Sequence, residues 1–208
     1  MKNASTQPSI SDSLLIIFYR NPELGKVKTR LAKTIGEEKA LAIYIKLASH
    51  TREIVQSEKV DKVVYYSHFT DTEDQWPNVI FKKKIQKGND LGEKMDNAFT
   101  TAFAEGYKHV CIIGTDCFEL TSSHVSEAYI RLKDHDVVMG PANDGGYYLL
   151  GMNQLHAEVF QNKAWSTAAV GSDTIDDFRK LGLTYFLLDT LTDVDEEKDL
   201  PVSMRFIG

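Results

Sequence analysis

Four separated segments of the chain carry side chains able to hold phosphate or a metal ion, and each follows or flanks an apolar run. They are Gly25-Lys26-Val27-Lys28-Thr29-Arg30, Gly114-Thr115-Asp116-Cys117, Asp144-Gly145-Gly146-Tyr147 and Asp193-Val194-Asp195. In the first, the chain turns at Pro22 and Gly25 and then presents Lys26, Lys28 and Arg30. Ligands of open α/β sheets bind beyond the carboxyl ends of the strands, where these cations would lie. A guanidinium can grip phosphate oxygens bidentately, and lysines act as point charges. The same residues would also make an ordinary solvated basic loop. Neither the P-loop spacing nor the Gly-x-Gly-x-x-Gly fingerprint is present.

The acidic residues complement those cations. Thr115 and Asp116 follow the run His109 to Gly114, which would hold one carboxylate at the sheet edge. Mg²⁺ or Mn²⁺ prefers such oxygen ligands and takes one or two carboxylates together with substrate phosphates. An Asp in that place also serves as a turn former or helix cap. Asp193 and Asp195, with Asp199, Glu196 and Glu197, make an acidic knot before Pro201. It reads either as a second metal-ligating point or as a capped, acidic first helical turn.

Asp144-Gly145-Gly146 reads as a hairpin turn, or as a place where backbone approaches a ligand closely while Asp144 accepts hydrogen bonds from sugar hydroxyls. The loop around Asp90 and Gly92 either faces a base or ribose or simply caps the next helix. Trp165, Ser166 and Thr167 either line an acceptor pocket or cover the core. Cys117 reads as a small packing residue, and the six histidines show no metal spacing.

These residues need a scaffold, and the pattern supplies one. Short β-rich runs alternate with longer helical patterns, the signature of a mostly parallel sheet covered by helices on both faces. The expected strands are Leu14 to Tyr19, Lys62 to Ser67, Val79 to Ile85, His109 to Gly114, Asp136 to Gly140, Tyr147 to Met152 and Thr184 to Leu188. The expected helices are Glu37 to Ser57, Leu91 to Glu105, Ser122 to Lys133 and Ser172 to Leu181. Ala40, Ile43, Tyr44, Leu47, Ile54 and Val55 mark the apolar stripe of the first. Thr121, and Ser172 or Asp173, are the expected N-caps. The Asn143 to Gly146 turn predicts a hairpin and one antiparallel strand.

At 208 residues and 42% hydrophobic composition, the chain is expected to form a single domain over residues 13–208 behind a frayed tail, residues 1–12. A net charge of −6 argues against a nucleic-acid polymer as partner. No apolar run approaches the roughly 20 residues of a membrane span. The two cysteines, Cys111 and Cys117, fit reduced thiols in a cytoplasmic protein.

Taken in order, the motifs resemble the small bacterial glycosyltransferase-A-like proteins associated with radical-SAM and selenium domains or with arsenosugar biosynthesis. That family shows Phe-x-Lys-x-Pro-x-x-Gly-x-Val-Lys-Thr-Arg-Leu where this chain runs from Phe18 to Leu31. The likeness continues through Asp90-Leu91-Gly92, Gly114-Thr115-Asp116-Cys117, Asp144-Gly145-Gly146-Tyr147-Tyr148-Leu149 and Trp165-Ser166-Thr167 to Asp193-Val194-Asp195.

The resemblance implies a nucleotide-diphospho-sugar transferase fold, a three-layer α/β/α architecture on a mostly parallel mixed sheet. It places Arg20, Lys26, Lys28 and Arg30 near phosphates, and makes Asp116 the metal aspartate of an Mg²⁺ or Mn²⁺ site completed by Asp193 or Asp195. It implies glycosyl transfer from a nucleotide-diphosphate sugar to a small acceptor, with Asp144 as acceptor-side base or sugar clamp. The alternatives are guanylyltransferase-like nucleotidyl transfer to a phosphorylated small molecule, and a non-catalytic nucleotide-sugar-binding role. Arg20 and Lys94 depart from the family pattern but keep its charge, whereas Phe118 and Glu196 depart next to the metal carboxylates.

Overall fold

Alternation along the strands builds the two faces of the molecule. A computed structural model describes residues 11–205. In β1 (Ser13–Tyr19), Leu15, Ile17 and Tyr19 point into one core, while Leu14 and Ile16 point into another. The same division continues through β2 (Asp61–Tyr66), β4 (His109–Ile113), β5 (Val137–Pro141) and β6 (Tyr147–Met152). Both faces are apolar because both are covered. Tyr44 and Ala48 of α2 (Glu37–Val55) and Val125 and Ala128 of α4 (Ser122–Arg131) fill the first core. Met95, Ala98 and Phe99 of α3 (Leu91–Ala104) and Phe178 of α5 (Val170–Lys180) fill the second. The result is the expected three-layer α/β/α fold.

The sheet has seven strands in the order β3-β2-β1-β4-β6-β5-β7, with β3 (Lys82–Ile85) and β7 (Tyr185–Leu187) at its edges. The β3, β2, β1 and β4 strands are mutually parallel, so the loops after them gather at one edge. Among the described residues only β6 runs antiparallel, pairing with β4 and β5. The hairpin at Asn143 to Gly146 produces that reversal, as the turn residues require.

Three local expectations are corrected. The run from Val79 is strand only from Lys82, because Phe81 turns inward beside Trp76 and a Pro77 turn occupies the preceding residues. Helix α5 starts at Val170, not at Ser172 or Asp173, since the Asp173 N–H donates to the Ala169 carbonyl at 2.9 Å and makes Ala169 the N-cap. The basic loop also contains a helix that periodicity did not reveal, α1 (Thr29–Ile35), too short to show a repeat.

Thr121 does cap α4, its hydroxyl and N–H both engaging His124 Nδ1. Of the N-terminal segment expected to fray, only residues 11 and 12 are described. Asp12 is tied down by the N–H groups of Lys108 and His109 and by the Lys108 ammonium at 2.9 Å.

Candidate active site

A cavity of about 640 Å³ opens where the loops after β1, β2, β3 and β4 meet. Two buried polar side chains hold its rim together. Asn21 is 3% exposed. Its side-chain carbonyl accepts from Ser67 Oγ and from the N–H groups of His68 and Phe69, and its amide donates to the Phe69 carbonyl at 2.9 Å. Tyr44, reaching up from α2, accepts from the Arg20 N–H at 2.9 Å and donates to the Arg20 carbonyl at 2.8 Å. Thr115 Oγ1 donates to the same hydroxyl at 3.5 Å, so the loops after β1 and β4 are clipped together. Burial, aided by the Asp116 charge, raises the Tyr44 phenol well above its usual range and keeps it neutral.

The C-terminal acidic segment is brought in by the backbone. Cys117 bridges Asp193 in antiparallel fashion, and the Val194 N–H donates to the Asp116 carbonyl at 2.9 Å. On the other flank, Ala142 bridges Leu191 and Asn143 Nδ2 donates to Thr192. Asp116 and Asp193 therefore line one cavity although 77 positions separate them in sequence (193 minus 116). Burial, then the neighbouring Asp116 charge, pushes the Asp193 carboxyl up to about 7, with Asp144 and Asp195 adding to the rise and Lys28 opposing it.

The basic loop divides into two groups. Lys28 Nζ stands 2.9 Å from Asp116 Oδ1 and 3.4 Å from Asp195 Oδ1, and Arg30 pairs with Asp195 at 2.9 Å. Arg20 and Lys26 instead line the cavity, as does Lys94 from the first turn of α3. None of these three cations has an acidic partner among the described residues.

Asp116 Oδ1 is buried and lies outside hydrogen-bond geometry despite its nearness to Lys28, so that contact is charge pairing alone. Among the described residues no cluster of three or more metal-ligating side chains forms. Asp195, expected as a metal ligand, is engaged by Lys28 and Arg30. A hard cation that takes one or two carboxylates and fills its sphere with phosphate oxygens and water still fits Asp116 and Asp193, two mutually repelling acids with an unbonded oxygen.

The remaining sequence candidates separate by position. Tyr147, Trp165, Ser166 and Asp90 line the cavity. Asp90 is also the N-cap of α3, accepting from the Glu93 N–H at 2.9 Å. Gly92, Gly145, Gly146, Thr167, Arg30 and Asp144 are not part of the lining. The reason for Gly92 is packing: a Cβ there would stand 2.6 Å from the Trp165 ring and from the Phe160 carbonyl. Gly145, at φ 89°, lets the Ala168 carbonyl press into the space that a Cβ would occupy. Asp144 accepts from the Gly146 N–H at 2.9 Å at the exposed hairpin tip, and Thr167 donates to the Ala164 carbonyl.

Sequence reasoning missed Asn21, Tyr44, Ser67, His68 and Gln86 as cavity residues, and left Lys94 without a role. Asn21, buried yet polar just before Pro22, carried the one usable signal. The Cys117 thiol, pushed by burial up to about 12, is no nucleophile at neutral pH.

The profile of a family described as uncharacterized proteins conserved in bacteria (DUF2064) matches residues 50–167. The chain belongs to that family. A structure from Desulfovibrio desulfuricans G20, provisionally described as a nucleotide-diphospho-sugar transferase, is 30% identical, with 95% of this chain and 91% of that one covered at a TM-score of 0.82. Two more distant structures share the fold. The inositol-1-phosphate CTP transferase from T. maritima is 12% identical over 92% of this chain and 93% of that one, TM-score 0.55. The glucosyl-3-phosphoglycerate synthase from Mycobacterium tuberculosis, solved with Mn²⁺ and UDP, is 12% identical over 88% and 71%, TM-score 0.51. No protein of curated function matches the sequence. The chain is thus a member of the nucleotide-diphospho-sugar transferase, glycosyltransferase-A-like superfamily, and its fold is that of a transferase enzyme. No helix among the described residues is long and apolar enough to cross a membrane.

Proposed function

We propose that the protein transfers a nucleotidyl group from a nucleoside triphosphate to a phosphorylated small molecule. The observation that carries this reading is the set of unpaired cations in the cavity, Arg20 and Lys26 on the loop after β1 and Lys94 on α3. They come from two separate elements, which suits two phosphate-bearing substrates. A nucleotide-diphosphate sugar with a neutral acceptor would call on only one of these groups. Glycosyl transfer, the leading implication of the sequence resemblance, therefore becomes the second reading. The distant structures support the fold only and do not decide between the two.

In the proposed reaction an oxygen of the acceptor phosphate attacks the α-phosphorus of the triphosphate, and its bond to the bridging oxygen breaks to release pyrophosphate. Arg20 and Lys26 neutralise the departing pyrophosphate while Lys94 holds the acceptor phosphate. Charge stabilisation of this kind is the chief contribution a protein makes to phosphoryl chemistry. Asp116 and Asp193 would hold Mg²⁺ or Mn²⁺, which supplies Lewis-acid neutralisation of the phosphate oxygens. Asp195 serves to fix Lys28 and Arg30. Ser67, His68 and Gln86 line the cavity on the loops after β2 and β3, and there they would face the base.

Ser166, held at φ 66°, and Trp165 also line the cavity, and there they would meet the acceptor. The six ordered motifs support a finer kinship with the radical-SAM-associated and arsenosugar-type proteins, and the two buried free thiols support a cytoplasmic setting.

Product analysis tests the proposal. The purified protein is incubated with each nucleoside triphosphate, Mg²⁺ and a bacterial extract of phosphorylated metabolites. Pyrophosphate is the expected product, absent in Asp116→Asn. Release of nucleoside diphosphate from a nucleotide sugar, with no pyrophosphate from any triphosphate, would establish glycosyl transfer instead.

A further inference from the structure

The ammonium of Lys28 lies between two carboxylates, 2.9 Å from Asp116 and 3.4 Å from Asp195, with only 3% of its side chain exposed. Nothing in the local helix requires it there. Lys28 is the N-cap residue of α1 in the left-handed conformation, φ 48° and ψ 43°, and makes no side-chain cap. A non-glycine residue is uncommon in that region, and a cation opposes the positive end of the helix dipole. Val27 and Leu31, both buried, anchor the backbone on either side. The two acids account for where the side chain goes. Lys28 differs in this from Arg20, Lys26 and Lys94, which face the cavity without acidic partners among the described residues.

We propose that Lys28 is a resident counter-ion that keeps the Asp116 site from taking a divalent cation until polyphosphate is present, so that cation and polyphosphate enter together. This rests on the reading of the cavity as a metal-assisted polyphosphate site. A dication bound at Asp116 alone would stand beside a buried ammonium already neutralising that acid, and although the Asp116 side chain is 44% exposed, like charges at such range repel. A phosphate chain removes the conflict, because its oxygens supply negative charge to both cations. Lys28 is then a positioning residue: it holds Asp116 and Asp195 in place in the free protein.

The test uses the full chain, Mn²⁺ as probe and no turnover. Water-proton relaxation and calorimetry measure Mn²⁺ binding to wild type, Lys28→Met and the Lys28→Met/Asp116→Asn double variant, each checked for folding by circular dichroism. Lys28→Met should bind Mn²⁺ at least tenfold more tightly than wild type, and the double variant should lose that gain. Equal or weaker binding by Lys28→Met, or a gain that survives the loss of the Asp116 carboxylate, overturns the proposal.

A second measurement needs no variant. Wild type with Mn²⁺ alone should show little relaxation enhancement, and addition of tripolyphosphate should produce a large one. Strong enhancement with Mn²⁺ alone sinks the role of Lys28 and leaves the transfer reading standing, whereas no enhancement even with tripolyphosphate overturns both.

Discussion

Asp193 offers a quantitative handle on the site. Its carboxyl is pushed from 3.8 up to about 7 by burial and by the Asp116 charge, with Asp144 and Asp195 adding and Lys28 opposing. A folded-state pKa above the unfolded value means that the fold favours the protonated acid. Its contribution is therefore complete below about pH 4 and is lost as the pH rises toward 7. Within that window stability falls by about 1.4 kcal/mol per pH unit, so between pH 5 and pH 8 the wild type loses roughly 2–3 kcal/mol through this one group.

Asp193→Asn keeps the shape and cannot ionise, so it escapes the loss. Urea denaturation of both proteins at pH 5 and pH 8, without divalent cations, cancels the titration of the acids that are not coupled to Asp193. The Asp193→Asn variant should gain roughly 2–3 kcal/mol over wild type on going from pH 5 to pH 8, which corresponds to a Tm difference of about 5–10 °C in a chain of this size. A stability difference that is the same at both pH values would refute the claim that the partly buried Asp193 is coupled to Asp116.

Other substitutions probe the supports of the cavity. Asn21→Ala strips the hydrogen bonds that join the loops after β1 and β2 and leaves buried backbone groups unpaired, for an expected loss of about 2–3 kcal/mol by chemical denaturation. Gly145→Ala combines a left-handed backbone at φ 89° with a direct clash against the Ala168 carbonyl. It should lower stability by more than about 3 kcal/mol, and an unchanged Tm would show that the 164–169 segment yields easily. Lys94→Ala should raise KM for the phosphorylated acceptor at least tenfold with Tm unchanged, since a charge-assisted hydrogen bond contributes about 1.5–3 kcal/mol. A rise in the nucleotide KM instead would move Lys94 to the donor side.

Much of the scaffold was legible because both faces of the sheet are buried and its strands carry continuous apolar runs. Ile16, Ile17, Val63 and Val64 announce themselves without any partner in view. The cations and acids were legible by type and by their place after strands. Their allocation was not. Lys28 and Lys26 stand two residues apart, yet Lys28, at a left-handed turn, pairs with two acids while Lys26 lines the cavity. The glycines of the 144–146 turn suggested ligand contact, but the space at Gly145 is filled by Ala168, a contact across 23 positions (168 minus 145) that no local pattern encodes. The hydroxyl of Tyr44 lies on the apolar stripe of α2, where periodicity reads a core residue and cannot show that its tip clips two loops together.

Nucleotidyl transfer in this cavity requires Arg20 and Lys26 to be free to receive the phosphates of a nucleotide. Calorimetric titration of the four nucleoside triphosphates into the wild type and an Arg20→Ala/Lys26→Ala variant, in Mg²⁺ at fixed salt, measures that claim. One triphosphate should bind the wild type and lose at least a hundredfold in affinity in the variant, in keeping with two charge-assisted contacts of about 1.5–3 kcal/mol each. No binding by any triphosphate, or equal binding by both proteins, would contradict it.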